Sequence, residues 1–494
     1  MKLNKAFEYC SRFLRFGHVA VVLVLVANFL ARLNRLGDPL VGFYEFRTTQ
    51  TAFGIKSLSE TTINPFLAEM PTLGPPWKVP FEFPLFQLLS AILVRFGLFE
   101  VDQAGRFVAS VSFLVIGFLV YKIGCNLHGK TVGLIGCIFT IFSAFGLLVG
   151  SEVLIDGFAL IGALWAYSKV VSLRVDNIDA RSITLICVAT SVSGLVKINT
   201  TVLWVIGTLV FLAVGFQLDL PRRLSVACAL VISLIPGFFW TSYADSVKSQ
   251  GKYTSWLVSD RLNEWHFGTL RDRFDFKLIS GSLLQFTQAT VGGTLVFVML
   301  VFLAFFNKEK RGVVLSLLAV FISGPLIFIR LYTVHTYYWT AVLPAAILLA
   351  CLGFASLIDL LSNNFDRQNM KLASVFLTSA ILFSTYLSPA GERLMDLFLY
   401  RRPVPDVATV ISDNTEPTDL LIVIGADWSP STHYYSNRRG LALRQVSPRP
   451  EASELGTTYK YVYSWDSEPA WEDYFPKGTK LTEVGERLYR IESD

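Results

Sequence analysis

Long apolar runs repeat along most of this 494-residue chain, and their length limits the folds that it can adopt. A helix needs about 17 to 25 apolar residues to cross the hydrocarbon layer of a membrane. Runs near or within this range cover residues 17–33, 104–123, 131–149, 157–172, 182–197, 201–216, 224–242, 284–306, 312–330, 338–357 and 372–389. Charged residues make up only 16% of the chain, compared with about 25% in a soluble domain. The sequence predicts a polytopic α-helical membrane protein with about 11 transmembrane helices.

The side on which each loop lies follows from the basic residues, which collect in cytoplasmic loops. The run 84–99 is ambiguous because it contains Gln87 and Arg95. If this run does not cross, every second loop is basic and cytoplasmic, and these loops hold Lys122, Lys130, Arg174, Arg181, Arg222, Arg223, Lys308, Lys310, Arg311, Arg367 and Lys371. If it does cross, these charges all lie outside. We therefore interpret 84–99 as a helix at the outer interface.

This topology predicts a membrane domain at 1–389 and a soluble domain at 390–494. The N-terminus is expected in the cytoplasm, residues 34–103 form a long first outer loop, and the C-terminal domain is periplasmic or extracellular. The pattern predicts a helix at 406–414 and strands at 419–428, 459–465 and 487–493, a small α/β domain. We expect the chain in a bacterial plasma membrane, its inner membrane.

Composition argues against two further features. No cysteine falls in a segment placed outside the cell, so no disulfide framework is expected. The net charge of +5 is small for this length, so the sequence predicts no binding of nucleic acid.

The first outer loop begins with polar residues at the mouth of the first span, in the stretch VGFYEFRTTQTAFG at 41–54. Glu45 is the first candidate for a general base, because a carboxylate close to the membrane can take a proton from an attacking hydroxyl. The alternative is that Glu45 only pairs with Arg47. Asp156, in the apolar stretch VLIDGFAL, is a second candidate carboxylate. Its alternative role is to cap a helix and complement the helix dipole.

Other ionisable residues also lie at outer ends of spans. Lys197 could hold a phosphate, or could be an anchor that reaches the interface. The segment RLYTVHTYYW favours anion binding through Arg330, His335, Tyr337 and Tyr338, although its rings could form only an aromatic belt. Glu82 and His266 are further candidates for binding the substrate or the donor phosphate. Glu152 is interpreted as a solvated loop acid.

The stretch LGPPWKVPFEFPLF at 73–86 holds four prolines and cannot be helical throughout. Its aromatic rings, on a stiff outer loop, are predicted to form a wall for a sugar or a lipid. The alternative is an anchor at the membrane interface.

Across residues 15–355 the chain resembles the GT-C glycosyltransferases, specifically the superfamily of protein O-mannosyltransferases and aminoarabinose transferases. Four features carry the resemblance in order: YEFRTTQTA, PPW..PFEFPLF, Asp156 in the second outer loop, and HTYYWTAVLPA at 335–345. The resemblance implies transfer of a sugar from a polyprenyl-phosphate donor to a lipid, glycan or protein acceptor, at the outer face and with inversion. The first-loop acid would act on the acceptor, and the basic residues would hold the phosphate. Membrane lipids are expected partners.

The sequence departs from the family at one position. Many relatives carry an aspartate followed by a glutamate, and Tyr44 stands at the aspartate position here. Glu45 would then act as the base, or Asp156 or Glu82 would. A divalent cation is left open as a cofactor, with no ligands identified.

Two other classes of protein would have a similar composition. A transporter or a flippase for lipid-linked saccharides would favour interrupted helices and charges near the middle of spans. A scaffold that displays its soluble tail is the other reading, and it leaves the Glu45 loop and the HTYYW segment unexplained.

Overall fold

The computed structural model describes residues 17–173, 179–214, 219–362 and 367–492. The α-helices in these ranges are α1 Gly17–Leu33, α2 Glu45–Glu60, α3 Leu85–Arg95, α4 Val101–His128, α5 Lys130–Phe142, α6 Ala144–Val149, α7 Ile155–Ser172, α8 Ala180–Val196, α9 Ile198–Val214, α10 Leu220–Ile232, α11 Ile235–Lys248, α12 Asn263–Phe267, α13 Leu270–Phe274, α14 Phe276–Val291, α15 Thr294–Ala304, α16 Arg311–Ile327, α17 Ile329–Val334, α18 Leu343–Ser362, α19 Arg367–Leu387, α20 Pro389–Leu399, α21 Asp406–Asn414 and α22 Ser431–Ser436. The strands are β1 Leu420–Ile424, β2 Gly440–Ala442, β3 Tyr459–Ser464, β4 Leu481–Gly485 and β5 Leu488–Ile491.

All eleven apolar runs coincide with helices or broken helices, which confirms a mostly helical fold with apolar helices. By length and composition, four helical segments in the described ranges could cross a membrane: Val101–His128, Leu220–Lys248, Lys308–Ile327 and Leu343–Leu361. The number rises to six if two pairs bent by 74° and 72°, α14 with α15 and α19 with α20, each form one span. The figure of eleven spans stays a prediction.

Helix α3 corresponds to the ambiguous run at 84–99 and has 11 residues. At 1.5 Å per residue it is about 16 Å long, roughly half the thickness of the hydrocarbon layer. This length agrees with a helix that does not cross, and its position at the interface stays a prediction.

The chain folds into two units. The helical unit consists of Met1–Leu36, Arg106–Phe239 and Asn263–Tyr400. The sheet unit consists of Gly37–Gly105, Trp240–Leu262 and Arg401–Asp494. Most of the predicted soluble domain therefore folds in one unit with most of the predicted first outer loop, while residues 390–400 belong to the helical unit. The division of the chain at residue 389 into membrane and soluble parts stays a prediction.

In the helical unit, close contacts between helices depend on small residues. A Cβ atom at Gly207 of α9 would lie 2.8 Å from the Ser316 carbonyl oxygen and 2.2 Å from a Val320 methyl group of α16. Glycine at this position lets the two backbones approach closely, as is common between membrane helices.

Polar side chains of α1 stabilise a break between α5 and α6. Asn28 Nδ2 donates to the Ile141 carbonyl at 2.8 Å, and Arg32 Nη2 donates to the Gly146 carbonyl at 3.0 Å. The Ser143 hydroxyl accepts from the Gly146 N–H at 3.2 Å. Because lipid offers no hydrogen bonds to backbone groups, a break in a membrane helix needs such partners. After α6 the chain turns into α7, where Asp156 lies in the first turn.

The sheet unit is built on five strands in the order β2-β1-β3-β5-β4. β1 pairs in parallel with β2 and β3, whereas β5 pairs antiparallel with β3 and β4. Both faces of β1 are buried: Leu421 and Val423 pack with α21, and Ile422 and Ile424 pack on the other face. The run LLIVI has the continuous apolar character typical of such a strand.

Residues 71–74 cover the β2 edge of this sheet. The N–H groups of Gly440 and Ala442 donate to the carbonyls of Pro71 and Thr72 at 2.9 and 2.8 Å, and the Gly74 N–H donates to the Gly440 carbonyl. Residues 71–74 thus extend the sheet beside β2, which protects an edge that would otherwise expose unpaired backbone groups. These hydrogen bonds join the first loop to the C-terminal strands.

The small C-terminal sheet expected from the sequence is present. Helix α21 matches the predicted range 406–414, and β1, β3 and β5 lie inside the three predicted strands. The pattern missed β2, which has only three residues, and β4, in which the polar stretch LTEVG gives no apolar run.

Candidate functional site

Helix α2 carries most of the first-loop candidates. Glu45 is its first residue, where a negative charge is favoured by the helix dipole. The Thr49 hydroxyl donates to the Glu45 carbonyl at 2.6 Å, and the Thr51 hydroxyl donates to the Arg47 carbonyl at 2.9 Å. These hydroxyls therefore bond to their own helix, and both threonines are buried.

Arg47 forms an ion pair with Glu82, and its Nη1 atom donates to Gln50 Oε1 at 2.5 Å. The sequence suggests Glu45 or a phosphate as the partner of Arg47. Residues two apart in an α-helix point about 200° away from each other, whereas residues three apart share a face. Arg47 and Gln50 accordingly point to one side of α2 together.

This side of α2 lines an open pocket within the sheet unit, whose empty space, together with the solvent at its mouth, measures about 480 Å³. The polar side chains around the pocket are Arg47, Gln50, Thr51, Glu69, Glu82 and Gln87, and the aromatic ones are Phe81 and Trp240. The Trp240 indole N–H donates to the Phe81 carbonyl at 3.0 Å, which holds the two residues together. Carboxylate, amide and guanidinium groups beside aromatic rings suit a ligand that carries several hydroxyl groups.

Glu45 has different surroundings. Its carboxylate accepts hydrogen bonds from the Ser431 hydroxyl and the Gly42 N–H, and Arg402 contributes a favourable charge. Burial raises the pKa of Glu45 above its ordinary value, and these three groups offset the rise only in part. A carboxylate with a raised pKa is better suited to proton abstraction near neutral pH than an ordinary one.

Tyr44, at the position of the family's aspartate, is buried with 6% of its surface exposed. Its ring contacts Phe43 edge to face, with 5.1 Å between centroids. A packed aromatic residue thus occupies the position before Glu45.

The helical unit holds the second candidate carboxylate. Lys197 Nζ lies 2.6 Å from Asp156 Oδ1, and the exposed fractions of the two residues are 3% and 0%. The same ammonium lies 4.2 Å from the centroid of the Tyr338 ring and 5.3 Å from that of Tyr337. The two tyrosine rings stack on each other at 4.9 Å. The structure therefore joins four of the predicted residues in one cluster around a buried ion pair.

Several buried polar atoms in the same unit have no hydrogen-bond partner among the described residues. They are Asp156 Oδ2, Tyr332 OH, Thr200 Oγ1 and Thr340 Oγ1. Thr200 is three residues beyond Lys197, and Thr340 follows the tyrosine pair by two residues. Unsatisfied buried polar groups are costly, so these atoms mark places where water or a ligand would bind favourably.

The remaining predicted residues of this unit lie near α12 and α17. Arg330 Nε lies 3.1 Å from Asp272 Oδ2, and 42% of the Arg330 side chain is exposed. The His335 ring is 5.6 Å from Trp265 and 5.4 Å from Tyr337. His266 lies beside Phe267, with 6.3 Å between ring centroids. Arg330 is thus far more accessible to a solvated anion than Lys197.

Glu152 is not the solvated loop acid that the sequence suggested. Its side chain is 11% exposed, with one carboxylate oxygen 2.9 Å from Arg35 Nη1 and the other 3.6 Å from Arg106 Nη1. Arg106 also donates to the Ser151 carbonyl at 2.7 Å. The sequence separations of 117 and 46 residues hid this cluster. The one available signal was Arg106, a charge within a predicted span.

Among the residues that the structure describes, no group of three or more His, Cys, Asp and Glu side chains could hold a metal ion. The candidates divide between the units. Tyr44, Glu45, Arg47 and Glu82 belong to the sheet unit, and Asp156, Lys197, His266, Arg330, His335, Tyr337 and Tyr338 belong to the helical unit.

Solved structures share the fold of this chain. ArnT, the aminoarabinose transferase from Cupriavidus metallidurans, in its structure bound to undecaprenyl phosphate, has a TM-score of 0.61 and 12% sequence identity, with 96% of this chain and 97% of that chain covered. Its apo structure has a TM-score of 0.62 and 12% identity and covers 96% and 98% of the two chains.

The oligosaccharyltransferase from Archaeoglobus fulgidus, in its apo form, has a TM-score of 0.55 and 12% identity. The match covers 90% of this chain and 69% of the oligosaccharyltransferase chain. No protein-family model matches the sequence, and a search of curated proteins found no match. Both similar proteins are GT-C glycosyltransferases, so the predicted GT-C-like fold is confirmed.

Proposed function

We propose that this protein is a membrane glycosyltransferase that moves a sugar from a polyprenyl-phosphate donor to an acceptor at the outer face of the membrane. The observation that carries the proposal is the structural similarity to ArnT bound to undecaprenyl phosphate, which extends over 96% of the chain. The acceptor is a lipid, a glycan or a protein hydroxyl. The archaeal oligosaccharyltransferase, solved also with a tethered acceptor peptide at a TM-score of 0.52, keeps a peptide acceptor in this set.

Glu45 is the general base in this proposal. It takes the proton from the acceptor hydroxyl as that oxygen attacks the anomeric carbon, and the bond from the anomeric carbon to the phosphate oxygen breaks. The electron pair of that bond leaves with the polyprenyl phosphate, and attack from the opposite side inverts the anomeric centre. The burial that raises the pKa of Glu45 supports this role, and Asp156, with 0% exposed, is less able to meet an acceptor.

The pocket lined by Arg47 and Glu82 binds a sugar in this proposal. The Arg47 guanidinium and the Gln50 and Gln87 amides donate or accept hydrogen bonds, while Phe81 and Trp240 supply apolar faces. The ion pair between Arg47 and Glu82 fixes both side chains in place before the sugar binds. Such preorganisation lowers the entropy that binding costs.

The cations predicted to bind an anion lie in the helical unit. Arg330 is the accessible one, with His335 in the same segment. Lys197 is already neutralised by Asp156, and we assign this pair the role of holding Tyr337 and Tyr338 in position.

A flippase for lipid-linked saccharides is the second candidate, because two pairs of helices are bent by more than 70° and transporters often use interrupted helices. The two functions differ in chemistry, since a flippase breaks no bond. Formation of a new glycosidic product therefore separates them.

The test uses the purified full-length chain in lipid nanodiscs with radiolabelled polyprenyl-phosphate sugars and candidate acceptors. We expect label to move to an acceptor and free polyprenyl phosphate to be released in equal amounts. Glu45→Gln is expected to abolish both, while Glu60→Gln, at the exposed end of the same helix, serves as the matched control. Movement of labelled lipid across the bilayer without product would favour the flippase.

A further inference from the structure

One loop of the C-terminal sheet lies beside the first-loop carboxylates. Residues 425–430 connect β1 to α22 and follow the carboxyl end of β1, and we call them the β1–α22 loop. In sheets with parallel strands, ligands bind outside the carboxyl ends of the strands. Strands β1, β2 and β3 are parallel, so their carboxyl ends share this edge.

Trp428 of this loop is surrounded by aromatic rings from two other parts of the sheet unit. Its ring centroid lies 4.6 Å from that of Phe46, 5.9 Å from that of Phe81 and 5.6 Å from that of Trp256. Phe46 directly follows Glu45, and Phe81 directly precedes Glu82. Trp428 therefore contacts the neighbours of both first-loop carboxylates.

The residue after the loop reaches Glu45 itself. The Ser431 hydroxyl is a hydrogen-bonding neighbour of the Glu45 carboxylate, and the Ser429 hydroxyl lies 3.1 Å from the Ser431 hydroxyl. Ser431 is 8% exposed, so this hydrogen bond is shielded from water. Among the described residues, the positive charge of Arg402 lowers the pKa of Glu45. The neutral hydrogen-bond donors to its carboxylate are the Ser431 hydroxyl and the Gly42 N–H.

The loop is held in a defined conformation. Asp427 has a φ of +52°, and its carboxylate lies 2.6 Å from Arg444 Nε. The Arg444 guanidinium in turn lies 4.7 Å from the Trp256 ring. At Gly425, with a φ of +81°, a Cβ atom would lie 2.9 Å from the Asp466 carboxylate, so only glycine fits. These contacts fix where Trp428 and Ser431 lie.

We propose that the β1–α22 loop is a positioning element of the first-loop site, in which Ser431 orients the Glu45 carboxylate and Trp428 sets the separation of Glu45 and Glu82. The C-terminal sheet thereby acts on the reaction through the position of its base. The inference rests on the proposed function, because it takes Glu45 as the base. The alternative is that Trp428 and Ser431 only stabilise the sheet unit.

The test compares Ser431→Ala, Ser431→Thr and the control Ser412→Ala, which removes an exposed serine hydroxyl from α21 of the same unit. The Ser431 hydroxyl favours the ionised form of Glu45, so its removal is expected to move the acidic limb of the kcat/KM profile to higher pH by about one unit, a tenfold change in proton affinity. Ser431→Thr keeps a hydroxyl and is expected to restore the wild-type profile. A limb that stays in place in a folded Ser431→Ala protein overturns the proposal.

A second measurement needs no transfer activity. Difference infrared spectra of the wild type and Glu45→Gln identify the Glu45 carboxyl band, and this band is then titrated in each Ser431 variant. If Ser431→Ala does not fold, Ser431→Gly removes the same hydroxyl. A shifted titration without any sugar transfer would mean that the proposed function fails while the positioning contact holds. An unshifted titration beside active wild-type enzyme would reject the positioning role alone.

Trp428 is tested through Trp428→Phe and Trp428→Ala. Phenylalanine keeps a ring against Phe46 and Phe81, so we expect most of the activity to remain. Alanine is expected to lower kcat by at least about tenfold with a smaller change in KM, because a displaced base loses transition-state geometry. Loss of thermal stability with unchanged kcat per folded molecule would contradict the role.

Discussion

The two ion pairs among the candidate residues differ in accessibility. The Arg47 and Glu82 side chains are 13% and 26% exposed and line an open pocket, whereas the Lys197 and Asp156 side chains are 3% and 1% exposed. A buried pair needs both partners, because removing one leaves an uncompensated charge away from water. An accessible pair, by contrast, can also be reached by a ligand that enters the pocket. The comparison suggests that the sheet-unit pair meets substrate and that the helical-unit pair supports structure.

The largest expected effect is on activity at the first loop. Glu45→Gln removes the proton acceptor and is expected to lower kcat by roughly 10²- to 10⁴-fold, the usual contribution of general base catalysis. The pKa of Glu45 is raised because burial disfavours its ionised form, so a neutral amide should not destabilise the fold. Full activity of this variant at an unchanged melting temperature would remove Glu45 from the mechanism.

The next effect concerns stability in the helical unit. Asp156→Asn or Lys197→Met alone is expected to lower the free energy of unfolding by about 3–5 kcal/mol, because each leaves a buried charge unpaired. The double variant should be closer to the wild type than either single variant. Thermal unfolding of the purified protein checks this. A single variant that keeps its stability but loses kcat would mean that the pair takes part in the chemistry.

A smaller effect is expected at the pocket. Glu82→Gln keeps the shape of the side chain but breaks the ion pair with Arg47, so KM should rise about tenfold with kcat changed less than about twofold. The melting temperature should change little, in contrast to the Asp156 variants. Glu483→Gln, at an exposed position of β4, is the control. A fall in kcat with KM unchanged would instead identify Glu82 as the base.

The smallest effect is on pH dependence. Because the pKa of Glu45 is raised, activity should fall on the acidic side at a pH above the ordinary carboxyl pKa of about 4.3, as the base becomes protonated. Arg402 favours the ionised form of Glu45. Arg402→Gln should therefore shift the acidic limb of the profile to still higher pH, by roughly a few tenths of a pH unit for a solvent-screened charge. The kcat/KM profile measures both. A limb that moves to lower pH would contradict the assigned electrostatics.

Part of the site could be predicted from the sequence because its residues are close along the chain. Tyr337 and Tyr338, five and six residues after Tyr332, form one aromatic group with His335. The acid at the start of α7 was recognisable because it interrupts an apolar run. By contrast, the partner of each charge was not predictable: Glu82 is 35 residues from Arg47, and Lys197 is 41 residues from Asp156.

The sequence by itself determined the mostly helical architecture and the short sheet at the C-terminus, because apolar periodicity is a local property of the chain. The GT-C-like fold was implied by the resemblance that four short motifs carry. Only the tertiary structure decided that Glu152 is buried between Arg35 and Arg106, that residues 71–74 extend the C-terminal sheet, and that Ser431 reaches Glu45. The physical reason is that a charge or a hydrogen-bond donor can pair with many groups of suitable chemistry. Which partner it meets depends on how distant segments pack.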